Sequence, residues 1–113
     1  MDRLDEAEYE RRAQSELLAL RDALDALDTE DVEAELEGGI LTVEFLDDTQ
    51  FVINSHRAAR QIWMAAGRRA WYFDWNTESG AWRSTKTADE LWATLSAAIS
   101  EQLGRPVPLS RGG

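Results

Sequence analysis

Residues 32–45 read VEAELEGGILTVEF, and the alternation in this stretch decides the fold. Val32, Ala34 and Leu36 alternate with Glu33, Glu35 and Glu37. Successive side chains on a strand point to opposite faces, so this pattern describes a strand with one dry side. Gly38-Gly39 comes next. Two residues that adopt positive φ without steric penalty suit a two-residue hairpin turn. Leu41, Val43 and Phe45 carry the same period onto the returning strand.

Towards the C-terminus, Asp47-Asp48-Thr49 is turn chemistry, and residues 50–54 form a third strand with Phe51 and Ile53 on one face. A short loop over 55–60, holding His56, leads to Gln61-Ile62-Trp63-Met64-Ala65 as a fourth strand. Gly67-Arg68-Arg69 turns the chain into a fifth strand over 70–75, and residues 76–80 turn it into a last one over 81–85. A capping box is expected at Thr87 and Glu90, opening a helix whose Leu91, Leu95, Ile99 and Leu103 share one face. Gly104, Pro106 and Pro108 end that helix.

Towards the N-terminus, residues 4–27 predict one long amphipathic helix. Tyr9, Ala13, Leu17, Leu20, Leu24 and Leu27 draw its apolar stripe, and Glu10, Glu16, Asp22 and Asp25 are expected on the solvent side. Asp28-Thr29-Glu30-Asp31 then breaks the helical period. The order is helix, five or six antiparallel strands, helix. The fold class is therefore α+β, a two-layer sandwich with both helices on one face of the sheet. One domain over 1–109 and a loose tail over 110–113 are expected.

Charge is the most informative part of the composition. Residues 1–48 hold 17 acids and 4 bases, a net of −13, whereas residues 49–113 hold 5 acids and 8 bases, a net of +3. An acidic half repels phosphate backbones and anionic lipid, so no nucleic-acid or membrane partner is expected. There is no cysteine, which excludes disulfides, thiolate metal sites and a cluster held on the chain's own sulfur. The acidic opening Met1-Asp2-Arg3-Leu4-Asp5 matches neither a secretory signal nor a transit peptide, so the expected location is the cytoplasm.

Several stretches resemble the frataxin family, in its bacterial CyaY-type branch. They are Leu36-Glu37-Gly38-Gly39-Ile40-Leu41-Thr42-Val43, Ile53-Asn54 with Gln61-Ile62-Trp63-Met64-Ala65, and then Phe73-Asp74, Trp82 and Leu91-Trp92. The likeness spans residues 4–109. It departs at residues 55–60, where a proline common in relatives is missing, and at Ala23 and Ala26, where relatives often carry acids. The resemblance implies a regulator of iron–sulfur cluster assembly that binds iron and acts with a cysteine desulfurase and a scaffold protein. It implies no enzymatic activity of the chain's own.

The candidate site residues follow from both readings. Asp22 and Asp25 are three apart and neighbour each other on a helix. Asp28, Glu30 and Asp31 come next, and Glu33 and Glu35 project from the wet face of the first strand. Carboxylate oxygens are hard donors, so iron or another divalent cation would bind here weakly and on the surface. On the residues alone, the same crowding also serves solubility. The resemblance turns the reading towards a cation and partner surface, with Glu16, Asp22, Asp25 and Glu33 steering a basic partner. Gln61 and Trp63 share one side of a strand, and with Asn54 they are expected to form a partner patch anchored by an exposed tryptophan. Trp71, Phe73, Trp75, Trp82 and Trp92 read as core. His56 is the only histidine, and nothing supports a catalytic triad. Two alternatives stand beside the main reading. One is an iron oxidase or store using clustered carboxylates, and the other is a purely electrostatic protein-binding module. Self-repulsion favours a monomer when metal is absent.

Overall fold

A computed structural model describes residues 4–27 and 29–110. Helix α1 (Glu6–Asp25) starts where Asp5, in extended conformation, caps it by accepting from the Glu8 N–H at 2.8 Å. An N-cap carboxylate satisfies one of the orphan amides of the first turn. Six strands follow: β1 (Val32–Glu37), β2 (Ile40–Phe45), β3 (Gln50–His56), β4 (Gln61–Ala66), β5 (Arg69–Asn76) and β6 (Ala81–Ser84). Helix α2 (Leu91–Leu103) closes the series. The sheet runs β1-β2-β3-β4-β5-β6, every neighbouring pair antiparallel. This is the expected α+β sandwich.

The hairpin read first sets the register. Gly38 and Gly39 have φ of 60° and 79°, the double positive φ of a type I′ turn. Glu37 therefore faces Ile40, and the pairing continues to Val32 opposite Phe45. Leu41, Val43, Phe45, Phe51, Ile53, Ile62, Met64, Phe73 and Trp82 all fall on the covered side. Tyr9, Leu17, Leu20 and Leu24 of α1, with Leu91, Leu95 and Ile99 of α2, join them in one core. Trp82 and Trp92 are buried, while Trp71 and Trp75 are half-buried and pack on the core edge.

Three local readings are corrected. Strand β3 runs on to His56, so the loop shrinks to a single 3₁₀ turn at Arg57–Ala59. The His56 imidazole caps that turn by accepting from the Ala59 N–H. The capping box does not form. Glu90 is itself the N-cap, accepting from the Trp92 and Ala93 N–H groups at 3.1 and 3.4 Å. Glu90 is extended and bridged to Arg83, and Ala88 has φ of 65°, so no helical turn precedes Leu91. Thr87 instead closes a local turn with Asp89. The third correction concerns Glu16, described with the site below.

The segment after α2 is held in place. Val107 is buried, its N–H donates to Ser100 Oγ at 2.8 Å, and its carbonyl accepts from Ser96 Oγ at 2.6 Å. Residues 111–113, most of the expected tail, lie outside the described residues. Among the described residues no helix is long and apolar enough to cross a membrane.

Candidate cation and partner surface

The C-terminal end of α1 and the open face of the β1–β2 hairpin enclose a groove of about 830 Å³. Asp25, Glu30, Glu33, Glu35 and Glu44 line it. The elements explain the convergence. The apolar stripe of α1 turns Asp25 to solvent, and alternation on β1 puts Glu33 and Glu35 opposite the core. Glu33 faces Glu44 directly across the hairpin. Like charges in register destabilise a strand pair, because their Cβ atoms lie roughly 5 Å apart. Gln50 relieves part of this by donating to the Glu44 carboxylate at 2.9 Å.

Glu44 is a residue that reading the sequence missed. Its signal was present: a two-residue turn at Gly38-Gly39 forces position 33 opposite position 44. The rest of the expected ridge divides. Asp22 is exposed, pairs with Arg21 at 3.1 Å, and borders a separate groove with the C-terminal segment. Asp31 is held by Arg105 at 2.9 Å. Asp28 lies outside the described residues.

Glu16 does not face solvent. It is 3% exposed, and its carboxylate accepts from the Trp92 indole N–H, joining α1 to α2. Its position explains this. Residue 16 is three after Ala13 and four before Leu20, so it lies on the buried stripe rather than beside it. Glu16 therefore leaves the partner surface.

The groove offers oxygen donors only, which suits a hard cation. Among the described residues no three His, Asp or Glu side chains are placed to close around one metal ion. A cation here would share one or two carboxylates and keep most of its own water, the arrangement of a weak and exchangeable site.

The second patch lies on the uncovered side of the sheet. Asn54 faces Trp63 across β3–β4, and Tyr72 faces Trp63 across β4–β5. Trp63 is half-buried rather than freely exposed. His56 stacks on its ring with centroids 3.7 Å apart and planes 8° apart, and Tyr72 meets it edge-on at 5.1 Å. The Trp63 indole N–H donates to Gln61 Oε1 at 2.8 Å. The Asn54 amide donates to the Ser55 carbonyl at 3.2 Å. On the other side of β4, the Gln61 carbonyl accepts from the Tyr9 hydroxyl at 2.7 Å. Burial pushes the Tyr9 pKa up from its usual 10.0.

Comparison with known proteins places the chain as a whole. Residues 2–105 match the model of the frataxin-like domain. An iron-sulfur cluster assembly protein CyaY from Paraburkholderia phytofirmans is 36% identical over 104 residues, covering 92% of this chain and 96% of its own. The protein of that name from Dechloromonas aromatica is 35% identical over 107 residues, covering 94% and 99%. Among solved structures, a frataxin from Psychromonas ingrahamii superposes with a TM-score of 0.85 at 26% identity, over 95% of this chain and 99% of that one. A trimeric frataxin from the yeast Saccharomyces cerevisiae, complexed with ferrous iron, gives 0.71 at 26% identity, over 82% and 86%.

Proposed function

Because the chain belongs to the frataxin-like family, we propose that it is a regulator of iron–sulfur cluster assembly that carries iron weakly in the α1–β1–β2 groove. The groove that gathers Asp25, Glu30, Glu33, Glu35 and Glu44 is the observation that carries this reading. Iron is cargo here, attracted by crowded carboxylates and released readily because few of them touch it together. The same field steers a basic surface on a cysteine desulfurase. The open sheet face, with Asn54, Gln61 and Trp63, meets the scaffold protein. The chain acts without catalysing a reaction of its own, in the cytoplasm.

The oxidase reading needs carboxylates turned inward around a closed site, as in helix bundles that hold two irons. The groove acids are exposed, and the buried carboxylate of Glu16 is occupied by an indole. That arrangement supports carriage over oxidation.

Titration with ferrous iron, followed by amide chemical shifts, tests the reading. Asp25, Glu30, Glu33, Glu35 and Glu44 along the groove should respond first, and Asp22 and Asp31 less. A response centred elsewhere overturns the groove assignment. In a pull-down with purified desulfurase, Asp25→Lys and Glu33→Lys should each weaken capture strongly at low salt. Capture that survives both reversals removes the steering role. Oxygen uptake with ferrous iron should stay at the uncatalysed rate, and multiple turnovers would establish the oxidase.

A further inference from the structure

On the uncovered sheet face, the geometry points to Asp74 as a positioning residue that sets the orientation of the Trp63 indole. This rests on the reading of that face as a docking surface, which gives the orientation its use. Asp74 Oδ1 accepts from Gln61 Nε2 at 3.1 Å, and Gln61 Oε1 accepts from Trp63 Nε1 at 2.8 Å. An ionised carboxylate only accepts and an indole N–H only donates, so whatever joins them must donate at one end and accept at the other. A primary amide does so in one orientation alone. With its nitrogen turned to Asp74, its oxygen is presented to the indole.

Asp74 thereby fixes the direction of the Gln61 amide, and the amide fixes the indole edge. The ring is held on its face by His56 and at its rim by Tyr72. Strands β3, β4 and β5 thus each supply one constraint on a single side chain. Arg83, opposite Asp74 in the β5–β6 register, does not draw the carboxylate away. Its guanidinium donates to Ser79 Oγ and to the Ala88 carbonyl, both at 2.9 Å. An aromatic anchor ordered before its partner arrives loses less freedom on docking.

Reversing the polarity of the relay tests the assignment. Asp74→Lys places a group that only donates beside Gln61. The amide must then flip, presenting its NH₂ to the indole N–H, and the bond to Trp63 breaks. Adding Gln61→Glu to Asp74→Lys supplies a carboxylate that accepts from both neighbours and rebuilds the chain of bonds. The readout is hydrogen exchange of the Trp63 indole N–H by NMR, its signal identified with Trp63→Phe. Exchange should accelerate roughly tenfold in Asp74→Lys, the loss of one hydrogen bond, and return in the double variant. Unchanged exchange in Asp74→Lys, or no recovery in the double variant, overturns the assignment. Binding to the purified scaffold protein should fall in Asp74→Lys by more than in Glu78→Lys, which makes the same charge change on an exposed turn. If Trp63→Ala leaves that binding intact, the docking reading fails, while indole exchange still decides the role of Asp74.

Discussion

At Glu16 a carboxylate is buried against the Trp92 indole between the two helices. Removing the acceptor leaves a buried N–H to be desolvated, at a cost of about 1–3 kcal/mol. Glu16→Ala should therefore lower stability by that amount in urea unfolding, whereas Glu16→Gln keeps an acceptor and loses less. Neither change should alter ferrous iron titration, because Glu16 stands apart from the groove. Tyr9 makes a second link, from α1 to the β4 backbone. Its folded pKa is raised by burial. A raised pKa means that the folded state holds the proton more tightly, so this contribution is complete below pH 10 and is lost as pH rises through the folded value. Tyr9→Phe should cost about 1 kcal/mol at neutral pH and make the alkaline decline shallower, as read by denaturation at pH 8 to 11. At this scale the sequence was only partly legible. Glu16 could have been placed by its spacing from Ala13 and Leu20. The stack of His56 on Trp63 could not, because the end of β3 depends on pairing with Gln61 rather than on local pattern.

Among the elements, the β1–β2 hairpin carries a tension of its own. Glu33 and Glu44 face each other at the groove, a like-charge pair that weakens strand pairing. Glu44→Lys should stabilise the protein by roughly 0.5 kcal/mol in thermal or chemical unfolding. The same change should weaken ferrous binding in the groove; a variant that gains stability and still takes up iron unchanged would remove Glu44 from the site. A different strain lies before α2. Ala88 holds φ of 65°, which costs a residue with a Cβ roughly 1 kcal/mol relative to glycine. Ala88→Gly should raise the melting temperature by about 4 °C. The strands and helices themselves were legible because each follows a single period, 2.0 or 3.6, over several residues. The start of α2 was not. Thr87 and Glu90 have capping-box spacing, but the bridge from Glu90 to Arg83 holds that segment extended. Tertiary pairing overrode a local signal.

For the whole molecule, the decisive quantity is the uneven field of a chain with net charge −10. Cations that bind only the folded state should raise its stability, by about 1.4 kcal/mol at ten times their dissociation constant. Calorimetry at low ionic strength should show this for calcium as well as ferrous iron, since the donors are hard oxygens without a selective cage. Raising salt should diminish both this effect and capture by the desulfurase, because exposed charges are screened beyond about 8 Å at physiological ionic strength. Sedimentation should find a monomer in chelator, with self-association appearing only as cations neutralise the groove. The architecture and the acidic half were legible before any coordinates, since composition and period are properties of the whole chain. That Asp31 would be drawn to Arg105 was not, because that pair joins elements distant in sequence. The docked segment after α2 has a practical corollary. Ser110 and Pro108 border the same hollow as Asp22, so a polyhistidine purification handle fused behind Gly113 would be tethered only three residues beyond that hollow. Its imidazoles would compete for the titrated metal, and the handle belongs on the other terminus or should be cleaved before any measurement.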